Sequence, residues 1–109
     1  MAYDETLEAR ILSATDGWRH VSTKKMFGGV CHLIHGNMFG GVYKDFLILR
    51  LGEAAAAEAL SKAHTRPFDI TGRPMKGWVM IEPKGIETDE ALTVWLNKAR
   101  EFTQTLPPK

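Results

Sequence analysis

Met26-Phe27-Gly28-Gly29-Val30 recurs letter for letter as Met38-Phe39-Gly40-Gly41-Val42, and Phe46-Leu47-Ile48-Leu49-Arg50-Leu51 follows at once. Cys31-His32-Leu33-Ile34-His35 and Gly36-Asn37 fill the interval between the copies. Short apolar runs cut by glycine-bearing turns are how an antiparallel meander is written. Residues 24–51 therefore predict a sheet. Its strands are Val30–His35, Met38–Tyr43 and Phe46–Leu51, with Val21–Met26 leading in and turns at Gly36-Asn37 and Lys44-Asp45. Gly28-Gly29 reads as a turn or bulge, because paired glycines weaken a strand interior and tolerate positive φ. Two copies are too few for a solenoid, so the repeat reads as two successive strand-to-turn solutions.

Helical patterns flank this centre. Over 4–14, Asp4 can cap a helix, Glu5 and Glu8 suit its positive end, and Leu7, Ile11 and Ala14 share one stripe. Downstream, Glu53 to about Lys62 is rich in alanine, which makes helix the least costly local conformation. Arg66-Pro67, Gly72, Pro74 and Gly77 make 63–77 irregular, with Phe68–Ile70 as a short edge strand. Trp78–Ile81 reads as a strand stopped by Pro83 and Gly85. Thr88 caps a last helix whose apolar stripe is Leu92, Trp95, Leu96, Ala99 and Phe102, read as core. The predicted fold class is α+β, a two-layer antiparallel sheet with three helices in the order α-β-β-β-β-α-β-β-α.

A chain of 109 residues predicts a single domain, 1–109, with a core of its own. A formal net charge of +1 argues against a dedicated polyanion binder, which usually carries a heavy basic excess. One cysteine excludes an internal disulfide and a cysteine-built metal cluster. No run approaches the roughly 18 apolar residues of a membrane span, and the acidic start Met-Ala-Tyr-Asp-Glu lacks a secretory h-region. The expected setting is the cytoplasm, with no membrane partner.

Strand alternation then exposes a problem of coverage. Leu47, Leu49 and Leu51 share one face with Val79 and Ile81, which leaves Phe46, Ile48 and Arg50 with Trp78 and Met80 on the other. Helices packed on one side leave Phe46, Ile48, Trp78 and Met80 as a candidate interface for a homodimer or a protein partner, since large apolar patches are uncommon on monomers. The competing reading puts a helix over that second face.

Reactive constellations do not assemble. Cys31 and His32 point to opposite faces of a strand, and Cys31 and His35 lie about 13 Å apart along one, which favours Cys31 as a small buried hydrophobe. His32 and His35 diverge on a strand, so they read as ordinary strand and surface histidines; no metal and no cofactor is expected. The glycine pairs lack the Lys-Ser/Thr of a phosphate loop. Lys62, His64, Arg66, Arg73 and Lys76 surround Phe68 and precede Trp78, with Lys24 and Lys25 as candidates to lie near them, a basic loop able to contact an anion or nucleic acid, although a solvated loop explains the same residues.

Lys24-Lys25-Met26-Phe27-Gly28-Gly29, Gly36-Asn37-Met38-Phe39, Leu49-Arg50 and Thr71-Gly72-Arg73-Pro74-Met75-Lys76-Gly77-Trp78, in this order, carry a resemblance. The chain resembles the N-terminal domain of the TfoX/Sxy family, bacterial proteins whose two-domain members regulate natural competence. The resemblance implies a compact α/β domain similar to the secretion-chaperone-like fold, a role in transcription activation alongside the cyclic-AMP receptor protein, and no catalytic residues. A counterpart of the regulators' C-terminal domain does not occur within these residues, so a stand-alone copy is expected. The function read from all this is a non-enzymatic protein-interaction domain, a transcription-associated adaptor. The alternative is a weak DNA- or nucleotide-binding module using the basic loop 62–76. An enzyme built on Cys31 ranks below both.

Overall fold

The computed structural model describes residues 3–26, 28–69 and 72–108. They form six strands and three α-helices in the predicted order: α1 (Glu5–Ala14), β1 (Val21–Met26), β2 (Gly29–Ile34), β3 (Asn37–Tyr43), β4 (Phe46–Arg50), α2 (Glu53–Ala59), β5 (Thr65–Pro67), β6 (Trp78–Ile81) and α3 (Asp89–Thr103). A single turn of 3₁₀ helix, Pro83–Ile86, lies between β6 and α3. All neighbouring strands are antiparallel, in the spatial order β1-β2-β3-β4-β6-β5.

The helices begin where the capping residues place them. The Asp4 carboxylate accepts from the backbone N–H groups of Thr6 and Leu7 at 2.9 and 3.1 Å, and the Thr88 hydroxyl accepts from that of Ala91 at 3.1 Å. Each bond satisfies a donor that a helix start otherwise leaves orphaned. Between them the helices supply Leu7, Ile11, Ala56, Ala59, Leu92, Leu96 and Ala99 to one core. The sheet side of that core is Val30, Ile34, Phe39, Val42, Leu47, Leu49, Val79 and Ile81. Thus α1, α2 and α3 all serve the same face, the one strand alternation marks with Leu47 and Leu49. Burying a side chain of this kind contributes roughly 1.5–3 kcal/mol.

Several boundaries differ from the sequence reading. The β2–β3 turn is His35-Gly36, not Gly36-Asn37: both residues have positive φ, 52° and 80°, as a type I′ hairpin turn requires. Asn37 is drawn into β3, buried, and its amide donates to the Pro107 carbonyl at 2.9 Å. The fifth strand is Thr65–Pro67 rather than 68–70; Phe68 and Asp69 lie outside it, and Ile70 is outside the described residues. A proline is admissible there because β5 is the edge of the sheet, where a missing N–H breaks no interior ladder. Helix α2 stops at Ala59, short of Lys62.

The repeat also resolves differently. Gly28 of the first copy sits in a turn and Gly29 opens β2, whereas the second copy runs through the interior of β3. Phe27 lies outside the described residues. The two Gly-Val pairs meet each other: Val30 is opposite Val42 and Cys31 opposite Gly41. A Cβ on Gly29 would strike the Val42 carbonyl oxygen, and one on Gly41 the Val30 carbonyl oxygen. The glycines serve this reciprocal close approach of two strands.

Arg10 ties α1 to the start of α3. Its guanidinium donates to the Ile86 carbonyl at 2.7 Å and to the Asp89 carboxylate at 3.2 Å. The Asp89 side chain is 89% exposed, so water screens that half of the contact. Arg10→Ala is expected to lower stability by about 1–2 kcal/mol through the lost bond to Ile86, while Asp89→Ala changes it by less than about 0.5 kcal/mol. Urea denaturation midpoints of the two variants check this, and equal losses would refute it.

Candidate functional site

The register of the strands sets one transverse row on the face away from the helices. Lys24, Cys31, Gly41, Ile48, Met80 and Arg66 stand side by side across all six strands. With strands about 4.8 Å apart, the row is roughly 24 Å wide, cationic at both ends and apolar between. Ile48 and Met80 are 3% and 5% exposed and Cys31 6%, although none of them belongs to the core that the helices cover. The tip of the Met38 side chain lies over Gly41, within 3.3 Å of where a Cβ would stand.

Aromatic rings flank the row on both sides. Tyr43 and Phe46 are paired across β3 and β4, and Trp78 is paired with Arg50 across β4 and β6. Phe68 stacks obliquely on Trp78 at 5.6 Å between centroids. All four rings are half-buried. A cation stands over three of them: Lys44 over Tyr43 at 5.5 Å, Arg66 over Phe46 at 5.7 Å and Arg50 over Trp78 at 5.5 Å. Beyond Trp78 the face runs into a groove of about 320 Å³ walled by Leu60, Pro74 and Met75, with Lys76 and Glu53 among its lining.

The near-neutral chain conceals a separation of charge. Residues 19–51 and 64–82, the strands with their turns, hold eight Lys and Arg against Asp45, Asp69 and Glu82. The helical segments 3–18, 52–63 and 83–108 hold ten carboxylates against Arg10, Lys62, Lys84, Lys98 and Arg100. The sheet layer is therefore basic and the helical layer acidic.

The residues singled out from sequence do not all come together. Phe46, Ile48, Trp78 and Met80 do share a face, but Ile48 and Met80 are buried within the chain, and Phe46 and Trp78 are its reachable members. Arg66 joins them from β5, where it also approaches Glu82 at 3.8 Å. Arg73 and Lys76 are exposed on the loop that leads into Trp78. Lys62 points elsewhere, its ammonium 5.5 Å from the ring of Trp95 on α3. Lys24, which the sequence reading set near the basic loop, joins the face through β1, at the far end of the row from Arg66. Tyr43 and Lys44 also belong to it and escaped the sequence reading, because they reach it only through the pairing of β3 with β4 and the turn between them.

The cysteine and histidines are dispersed. Cys31 is buried beside Lys24; burial pushes its thiol pKa up, against the opposing pull of that ammonium, so the thiolate is scarce. His20 and His35 stack on each other at 4.3 Å, and His64 lies 3.5 Å from Glu82. His32, expected to be an ordinary strand histidine, is wholly buried against Phe39, with neither ring nitrogen bonded within the described residues. Burial pulls its pKa down, and the Glu8 carboxylate pulls weakly the other way. Among the described residues no group of three or more His, Cys, Asp or Glu is placed to hold a metal ion, and no helix is long and apolar enough to cross a membrane.

The profile of the TfoX N-terminal domain matches residues 13–103. No curated protein and no solved structure matches the chain. The profile covers everything from the last turn of α1 to the end of α3, the whole sheet included. This chain belongs to the TfoX N-terminal domain family.

Proposed function

We propose that this domain is a non-enzymatic, transcription-associated regulatory module of the cytoplasm that works by contact, through the sheet face its helices leave uncovered. The observation that carries the reading is the placement of all three helices on one side, with Tyr43, Phe46, Phe68 and Trp78 half-exposed on the other. Aromatic side chains beside arginine make up the energetic centre of many recognition surfaces. Family membership supports a competence-related regulatory role. A symmetric homodimer through this face is the weaker version. It would set two basic layers against each other, and like charges in apposition oppose docking.

The test is complementation of a deletion strain, read as its transcript profile. Wild type and Val94→Ala, a change at a 55% exposed site on α3, are expected to restore the profile. Phe46→Ala with Trp78→Ala, at unchanged protein level, is expected to fail. Full restoration by the double variant would refute the sheet face as the working surface.

A further inference from the structure

We infer that the uncovered sheet face is a platform for single-stranded nucleic acid, with bases stacked on Phe46 and Trp78 and phosphates met by Lys24, Lys44, Arg50 and Arg66. This deepens the contact reading above and rests on it.

Three observations converge. The sheet layer has a cationic excess that the acidic helical layer hides in the total, and Lys24 and Arg66 bring part of it to the two ends of the uncovered face, while Lys25, opposite Val30, belongs to the other. The rings on that side come as two stations rather than one cluster. Phe46 and Arg50 are four residues apart on β4 and Trp78 sits opposite Arg50, so the stations stand about 13 Å apart along the strands. Between them Gly41, Ile48 and Met80 are buried, and the tip of the Met38 side chain lies over Gly41. Finally, the cations are already on the rings: Arg66 lies over Phe46, and Arg50 lies between Trp78 at 5.5 Å and Phe102 of α3 at 5.9 Å, at the margin where the face meets that helix. A base can take the ring face while the guanidinium slides to the adjoining phosphate, or can stack on the guanidinium plane itself. Among the described residues no ion pair is lost at Arg50, and at Arg66 the 3.8 Å approach to Glu82 is half-exposed and screened.

A single strand fits this geometry better than a duplex. Stacking needs unpaired bases that can turn their faces to the sheet, and a broad sheet face offers no element narrow enough to enter a major groove. The basic loop of the sequence reading contributes less, because Lys62 lies over Trp95, on the helical side.

The test is fluorescence anisotropy of the whole chain with labelled oligonucleotides of roughly a dozen nucleotides, as single-stranded RNA, single-stranded DNA and duplex DNA. Four phosphate contacts predict an affinity for single strands that falls about 50-fold between about 50 and about 200 mM salt. Phe46→Ala and Trp78→Ala are each expected to weaken binding about tenfold without changing that salt slope. Lys24→Ala with Arg66→Ala, at exposed positions where folding is not at stake, is expected to halve the slope.

An absence of binding at the lower salt, a duplex bound as tightly as a single strand, or a slope unmoved by the cation pair would each overturn the platform. So would displacement by polyglutamate at equal charge, which would assign the face to an acidic protein. These outcomes separate from the contact reading: a transcript profile that still depends on Phe46 and Trp78 keeps the contact surface while the nucleic acid falls. Oligonucleotide binding with an indifferent profile does the reverse.

Discussion

Gly41→Ala is expected to lower the stability of the domain by about 3 kcal/mol or more and its melting temperature by more than about 10 °C. An ordinary core methyl displaces side chains, which can rotate away. A methyl at Gly41 meets main chain: it would overlap the Val30 carbonyl oxygen and lie 3.3 Å from the Cys31 Cα, with the Met38 Cε at 3.3 Å on the third side. Two of these neighbours belong to β2, held by its ladder with β1 on one side and β3 on the other. Relief requires the β2–β3 pairing to open at its centre, beside the Val30–Val42 pair that feeds the core. Against a total of roughly 5–15 kcal/mol for a domain of this kind, such a loss is a large fraction. Thermal melting followed by far-ultraviolet circular dichroism measures it. A variant melting with wild type would mean that the two strands are not so closely apposed, and the structural reason for the repeated Gly-Val would go with it.

That repeat shows where a linear reading succeeds and where it stops. Local chemistry was legible: Asp4 and Thr88 cap the helices they were expected to cap, and the alternation in Phe46–Arg50 and Trp78–Ile81 assigns Leu47, Leu49, Val79 and Ile81 to the core. Both signals depend on residues a few positions apart. Identical pentapeptides, by contrast, took two conformations, because what differs is the strand each one lies against. In the second copy Gly40 and Gly41 face Leu49 and Ile48 on one side and His32 and Cys31 on the other. Pro67 misled for a related reason. Proline disqualifies a central strand but not an edge, and β5 is identifiable as an edge only after the chain order is known.

The candidate face was half legible. Alternation set Phe46, Ile48, Trp78 and Met80 together, and the structure keeps them together. It could not show that Ile48 and Met80 would be buried, leaving the two aromatics as the reachable pair. Nor could composition reveal the basic layer. A net charge of +1 spoke against a polyanion partner, but that inference treats charge as evenly spread. Here the carboxylates are concentrated in the helices and the cations in the strands and their turns, and only the packing of helices on one face turns that bias in sequence into two oppositely charged sides.

His32 leads to the second large effect, a loss of stability in mild acid. Alternation placed it opposite Cys31 without saying which of the two faced the helices. The structure turns the imidazole inward, opposite Thr23 and Gly40 and 6.2 Å from the Phe39 ring, fully buried and without a hydrogen-bond partner among the described residues. Such a site accepts the neutral ring and resists the charged one, so the folded-state pKa lies below the usual value near 6.5. The unfolded chain keeps that ordinary pKa. As pH falls below about 6.5 the unfolded state takes up a proton the folded state refuses, and stability drops by up to about 1.4 kcal/mol per pH unit until the folded pKa is reached. The Glu8 carboxylate moderates this without reversing it, since desolvation is the larger effect. Between pH 7 and pH 5 the contribution of this one ring is thus expected to be at most about 2 kcal/mol. His32→Leu, which replaces an unsatisfied polar ring with an apolar side chain, is expected to remove that slope and to leave stability at pH 7 equal or higher. Urea midpoints of both proteins at the two pH values decide the matter: parallel losses would show that the acid sensitivity arises elsewhere and that the buried imidazole finds a proton acceptor the static structure does not display.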